Sequence, residues 1–171
     1  DKNMNFVLVH GAWHRGELFE ATAAPIRESG HEVYLPTLLG NGVGDRKDVG
    51  LAEVIDDLLD YFIDNDIHDA VVVGHSYAGM VITGLADKIP ERIKRLVYWN
   101  AFVPLNGESL NDLVPPHYVE LFNQLCAKDG GVTLPFPIWR EAFINDADHE
   151  LAENAYQQIA PHPYKTFTDG I

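Results

Sequence analysis

The segment Val71-Val72-Val73-Gly74-His75-Ser76-Tyr77-Ala78-Gly79-Met80 restricts the fold of this chain more than any other stretch. A β-branched apolar run has the composition of a buried strand, and the small residues after it break the run into a turn before a helix-like stretch begins. One serine stands at that turn. A serine on a tight strand-to-helix bend has its hydroxyl lifted above the end of the sheet, and small neighbours keep Cβ atoms clear of the bend. The N–H of Tyr77 falls at the helix start, where it lacks an intrahelical acceptor and can donate to a developing negative charge. The stretch therefore reads as a nucleophile elbow with Ser76 at its apex. It departs from the usual G-x-S-x-G pattern, since Ala78 stands at the last position and the glycine, Gly79, comes one residue late. The competing reading is a structural serine in an ordinary turn.

A second apolar run, Asn5-Phe6-Val7-Leu8-Val9, leads into the small-residue loop His10-Gly11-Ala12-Trp13-His14-Arg15-Gly16. A loop in that position is where such a sheet takes its second oxyanion donor, here the N–H of Ala12. Strand patterns fall near 5–9, 31–35, 70–74 and 95–100, with helical patterns near 17–28, 51–65 and 77–88. This alternation predicts an α/β fold, a parallel sheet with helices on both faces and a site at the carboxyl ends of the strands. After Pro104, prolines at 115, 116, 135, 137, 161 and 163 punctuate short helical pieces such as 118–127 and 150–159, and no strand-like run follows Val103. The expected division is a core over 1–104 and a helical cap over 105–171. Phe122, Phe136, Trp139 and Phe143 are candidates to face an apolar acyl or aryl pocket, with cap packing as the alternative.

Five segments carry a resemblance to a known family: Phe6 to His14, Gly30-His31-Glu32-Val33, Val73 to Met80, Pro90-Glu91-Arg92-Ile93, and Leu96 to Pro104. On these the chain resembles an α/β-hydrolase of the branch that contains plant hydroxynitrile lyases, plant methylesterases and related bacterial esterases. The resemblance implies Ser76 as nucleophile, with the backbone N–H groups of Ala12 and Tyr77 as oxyanion donors. Gly11, Trp13 and His14 are then candidates to line the substrate pocket. It implies a small or aryl carboxylic ester as substrate, an amide or carbamate being within the same chemistry, and no cofactor. The lyases of the branch carry a threonine that touches the substrate hydroxyl where this chain has Gly11, so lyase chemistry is the second reading. A small-ligand-binding protein on the same scaffold is the third.

The resemblance also implies a triad acid and a histidine that follow the cap in chain order. No Gly-Ala-Asp-His type of loop occurs before Ile171, so both groups, and part of the domain, are expected outside this sequence. His75 precedes the nucleophile and is expected to point away from it. His10 and His14 belong to the oxyanion loop, His117, His149 and His162 to the cap, and His31 and His68 to strand entrances. All read as surface or locally hydrogen-bonded groups ahead of a general base. Asn100 ends the strand after the elbow, but an amide holds no charge with which to orient an imidazolium.

The formal net charge of −14 argues against nucleic acid and anionic membrane surfaces as partners. Much of the acidity, from Glu53 to Asp69, interleaves with Leu51, Val54, Ile55, Leu58, Leu59 and Phe62 at helical spacing, which predicts an amphipathic helix with a solvated acidic face. No alternating oxygen-ligand loop suggests a metal. The glycine-rich Gly40-Asn41-Gly42-Val43-Gly44 lacks a following Lys-Ser/Thr and reads as a flexible connection. The lone Cys126 fits a reducing compartment, the cytoplasm, and a packing role. No secretory leader precedes the first strand, and Met4 reads as the natural start. Arg95-Leu96-Val97-Tyr98-Trp99 is apolar enough for a central strand, so it is expected to pair with a further segment of the same protein or a second copy.

Overall fold

Strand β1 (Asn5–Val9) forms the first rung of a parallel sheet, and after a 3-10 turn over Gly16–Phe19 the chain enters α1 (Glu20–Glu28) and β2 (Glu32–Tyr34). A long loop leads to α2 (Leu51–Asp64), then β3 (Ala70–Ser76), α3 (Ala78–Lys88) and β4 (Ile93–Ala101). This computed structural model describes residues 3–171. The four strands order β2-β1-β3-β4, all parallel, with Val7 opposite both Tyr34 and Val72.

Alternation along the strands sorts the core into two layers. Val7, Val9 and Val72 face α2 and α3, where they meet Leu58, Phe62, Val81 and Leu85; Phe6, Leu8 and Val73 face α1 with Ala23 and Ile26. Leu51, Val54, Ile55, Leu58 and Phe62 of α2 are buried, while Glu53, Asp56, Asp57, Asp60 and Asp64 are exposed, as the amphipathic pattern predicts. All four expected strands are present, β3 and β4 extending beyond their predicted ends.

The remainder comprises α4 (Leu110–Leu113), α5 (Pro116–Leu125), β5 (Gly131–Val132), α6 (Phe136–Phe143), α7 (His149–Tyr156), β6 (His162–Pro163) and α8 (Lys165–Thr168). The expectation of no strand after Val103 is corrected by β5 and β6, an antiparallel pair of two-residue strands too short to leave an alternating pattern. From His162 onward the chain returns to the core: Thr166 and Phe167 are buried, and Asp169 Oδ2 accepts the N–H of Leu51 at 3.0 Å at the head of α2.

The loop Gly40–Gly44 is tied down, contrary to its reading as a flexible connection. The Asp45 carboxylate accepts the N–H groups of Gly40 and Gly42, both at 3.0 Å, and Lys47 Nζ donates to the Gly40 carbonyl at 2.6 Å. The concave backbone that suggests a phosphate cradle is thus filled by the chain's own carboxylate. At the opposite sheet edge β4 pairs, among the described residues, with β3 alone, and Trp99 is 51% exposed.

Candidate active site

Ser76 ends β3 with φ +55°, in the left-handed region that a residue with a Cβ enters at a cost of about 1–3 kcal/mol. Two glycines make room for the turn. A Cβ on Gly74 would come within 2.7 Å of Ile82 Cδ1, and one on Gly79 within 1.9 Å of the Phe102 carbonyl oxygen. The latter is a backbone atom fixed by the bond from Phe102 N–H to the Ser76 carbonyl at 3.1 Å. Position 79 therefore demands glycine, while Ala78 is accommodated in the buried first turn of α3. This accounts for the late glycine of the motif.

The loop after β1 lies alongside. A Cβ on Gly11 would sit 3.2 Å from Ser76 Cβ, so the backbone here runs directly beside the serine. Among the described residues the N–H groups of Ala12 and Tyr77 have no hydrogen-bond acceptor. The direction of the Ala12 N–H follows from His10, which sequence reasoning placed in the loop without a task. Leu38 N–H donates to His10 Nε2 at 2.9 Å, so Nδ1 carries the proton and donates to the Gly11 carbonyl at 2.8 Å. In a trans peptide the N–H points opposite to the carbonyl, so fixing the Gly11 oxygen fixes the Ala12 N–H. Burial holds the His10 pKa down to about 4, which keeps the ring neutral and this relay intact. His14 Nδ1–H likewise donates to the Ala12 carbonyl at 2.7 Å, and burial lowers its pKa too.

None of the histidines hydrogen-bonds Ser76 Oγ among the described residues. His162 is fully buried with both nitrogens engaged. Thr166 donates its proton to the Pro163 carbonyl, so His162 Nε2–H donates to Thr166 Oγ1 at 2.8 Å and Nδ1 accepts from Asn41 Nδ2 at 3.0 Å. Its pKa lies well below the ordinary value because of burial. His75 packs on Trp99, ring centroids 5.0 Å apart. His31 Nδ1 accepts the Met4 N–H, while His68 and His149 pair with Asp66 and Glu153 at the surface. No group of three or more metal-binding side chains occurs among the described residues.

A cavity of about 310 Å³ opens above Ser76, lined by Ala12, Trp13, Tyr77 and Phe102 from the core side and by Leu113, Tyr118, Phe122, Ile138 and Phe143 from the cap. No charged side chain lines it. A second hollow of about 400 Å³ is lined by Gly11, His14, Arg15, His75, Trp99 and Trp139, and Phe143 borders both. Of the aromatic candidates, Phe122 and Phe143 thus reach the first cavity and Trp139 the second. Phe136 reaches neither and is corrected to cap packing, against Tyr156 and His149 at centroid distances of 5.3 and 5.7 Å. Phe167, Phe102 and Tyr118 line the first cavity without having stood out in the sequence, since an aromatic residue carries no mark of which cavity its helix will face.

A strained serine on a strand-to-helix turn, above a parallel sheet and under a helical cap, defines the α/β-hydrolase class, and the chain belongs to the alpha/beta hydrolase family, whose pattern matches residues 6–169. It is similar to a carbendazim hydrolyzing esterase of Nocardioides sp. (strain SG-4G), at 49% identity over 65% of this chain and 47% of that protein. An alpha-hydroxynitrile lyase of Arabidopsis thaliana is 27% identical over 73% of this chain and 48% of its own length. The chain thus spans about half the length of the curated relatives it matches. An extracellular alpha/beta-hydrolase from a Paenibacillus species, described as sharing structural and functional homology with tobacco salicylic acid binding protein 2, superposes with a TM-score of 0.94. Its identity is 34%, over 98% of this chain and 70% of that one.

Proposed function

We propose that this chain carries the nucleophile, oxyanion hole and substrate pocket of a serine hydrolase that cleaves a small or aryl carboxylic ester, with amides and carbamates in the same range. The observation that carries the reading is the convergence of Ser76 at φ +55° with the two unpaired N–H groups of Ala12 and Tyr77 on one apolar cavity. Ser76 Oγ attacks the ester carbonyl, and the two N–H groups hold the oxyanion that forms. The tetrahedral species collapses, the alcohol leaves with a proton, and water releases the acid from Ser76. The base that takes the Ser76 proton is a histidine contributed from outside residues 1–171, as the family resemblance implies. The uncharged cavity wall suits a neutral acyl or aryl group and disfavours an ionised one. The esterase from Nocardioides supports hydrolysis, and Gly11, where the lyases of the branch carry a threonine, supports it over cyanohydrin cleavage.

The test is covalent labelling by a fluorophosphonate, read by intact mass, beside turnover of p-nitrophenyl acetate. One adduct in the wild type and none in Ser76→Ala supports the reading. In protein that includes the segment carrying that histidine, a folded wild type that takes up no label and turns over no ester overturns it, and calorimetric binding of a neutral aryl compound would then favour the ligand-binding alternative. Release of cyanide from a cyanohydrin would favour the lyase.

A further inference from the structure

Trp13 has φ +68°, a left-handed backbone that a bulky side chain holds only when its surroundings over-determine it. What holds it comes from the second half of the chain. The indole Nε1–H donates to the Val132 carbonyl in β5 at 2.8 Å, a buried bond, and the N–H of Ala160 donates to the Trp13 carbonyl at 3.0 Å. The ring is packed against Phe122, His162 and Phe167, with centroids 5.9, 5.8 and 5.7 Å away. Trp13 directly follows Ala12, so the same strained turn ends the peptide segment that presents the Ala12 N–H to the cavity.

Resting on the hydrolase reading above, we propose that Trp13 is a positioning residue whose bond to the Val132 carbonyl latches the oxyanion loop to the β5–β6 strand pair and so holds the Ala12 N–H in its catalytic direction. His10 fixes that peptide from the core side, and Trp13 fixes the following turn from the cap side. The oxyanion hole is complete only when the β5–β6 strand pair is docked. Releasing the latch lets the loop relax from its left-handed turn, which weakens stabilisation of the transition state more than substrate binding.

The test removes the donor in two ways, as Trp13→Phe, which keeps an aromatic but smaller ring, and as the benzothienyl analogue of tryptophan at position 13, which keeps the bicyclic ring, differs by one ring atom and guards against misfolding. Tyr156→Phe is the matched control, because Tyr156 OH donates to the Leu134 carbonyl at 2.5 Å within the cap. Loss of one buried hydrogen bond predicts about tenfold faster amide exchange over residues 10–15 and about tenfold lower kcat, with KM within about twofold. Tyr156→Phe leaves both within about twofold. Unchanged exchange at 10–15 in both position-13 variants overturns the latch. Faster exchange with wild-type kcat, or a rise in KM alone, overturns the positioning role. If wild-type protein that includes the segment carrying the histidine turns over no ester, the hydrolase reading fails while the exchange result still decides the latch.

Discussion

Ser76 and Gly79 show how one turn distributes its costs between two residues. Replacing Gly79 by alanine would drive a Cβ to 1.9 Å from the Phe102 oxygen, and because that oxygen belongs to backbone the variant is expected to lose at least about 3 kcal/mol in urea unfolding or fail to fold. Ser76→Gly, by contrast, is expected to be about 1 kcal/mol more stable than Ser76→Ala, since only glycine occupies φ +55° without strain. The serine and the loop opposite it were legible because the small residues and the single hydroxyl stand in sequence order. Why glycine falls at 79 was not legible, for the atom that requires it, the Phe102 carbonyl oxygen, lies just past the end of β4. His10 was legible only as a loop residue, its partner Leu38 being 28 positions away. The neutral His10 also predicts a pH dependence. With a folded pKa near 4 and an unfolded one near 6.5, the unfolded chain binds the extra proton, so its contribution is whole above pH 6.5 and falls by about 3 kcal/mol as the pH drops to 4. Urea midpoints across that range are expected to flatten by a corresponding amount in His10→Gln.

Elements with long periodic patterns were read correctly, as were β2 and the helices near 118–127 and 150–159, while the shortest pieces of the second half were not. The helix α2 declares itself through apolar residues at i, i+3, i+4 and i+7, and β1 and β3 through unbroken apolar runs buried on both faces. The four-residue helices α4 and α8 and the two-residue strands β5 and β6 resisted because they are held by contacts across the chain instead of by local propensity. One such contact terminates α2. Asp169 Oδ2 accepts the N–H of Leu51 while Glu53 Oε1 accepts that of Gly50 at 3.1 Å, so two carboxylates satisfy orphan donors at the positive end of the helix. Asp169→Ala is expected to cost about 1 kcal/mol, read from thermal unfolding, and Asp169→Asn to cost less because the amide oxygen can still accept.

At the scale of the whole molecule, the net charge is −14, and the exposed face of α2 carries five carboxylates of which only Glu53 and Asp56 meet a cation, Arg46 and Lys88, among the described residues. Self-repulsion of this kind is screened by salt, so raising sodium chloride from about 10 mM to about 0.5 M is expected to stabilise the fold by on the order of 1 kcal/mol. The latch at Trp13 carries a different consequence, one of timing. Trp13 and Val132 are 119 positions apart, Asn41 and His162 are 121 apart, and Leu51 and Asp169 are 118 apart. Contacts this distant in sequence close large loops before they gain any stabilisation, and chains rich in them fold slowly. On a ribosome the strand that carries Ser76 emerges long before β5, which fastens the loop beside it. Assembly of the site is therefore a late event in folding, and a nascent chain that stops short of Val132 holds its serine with the loop after β1 still unfastened.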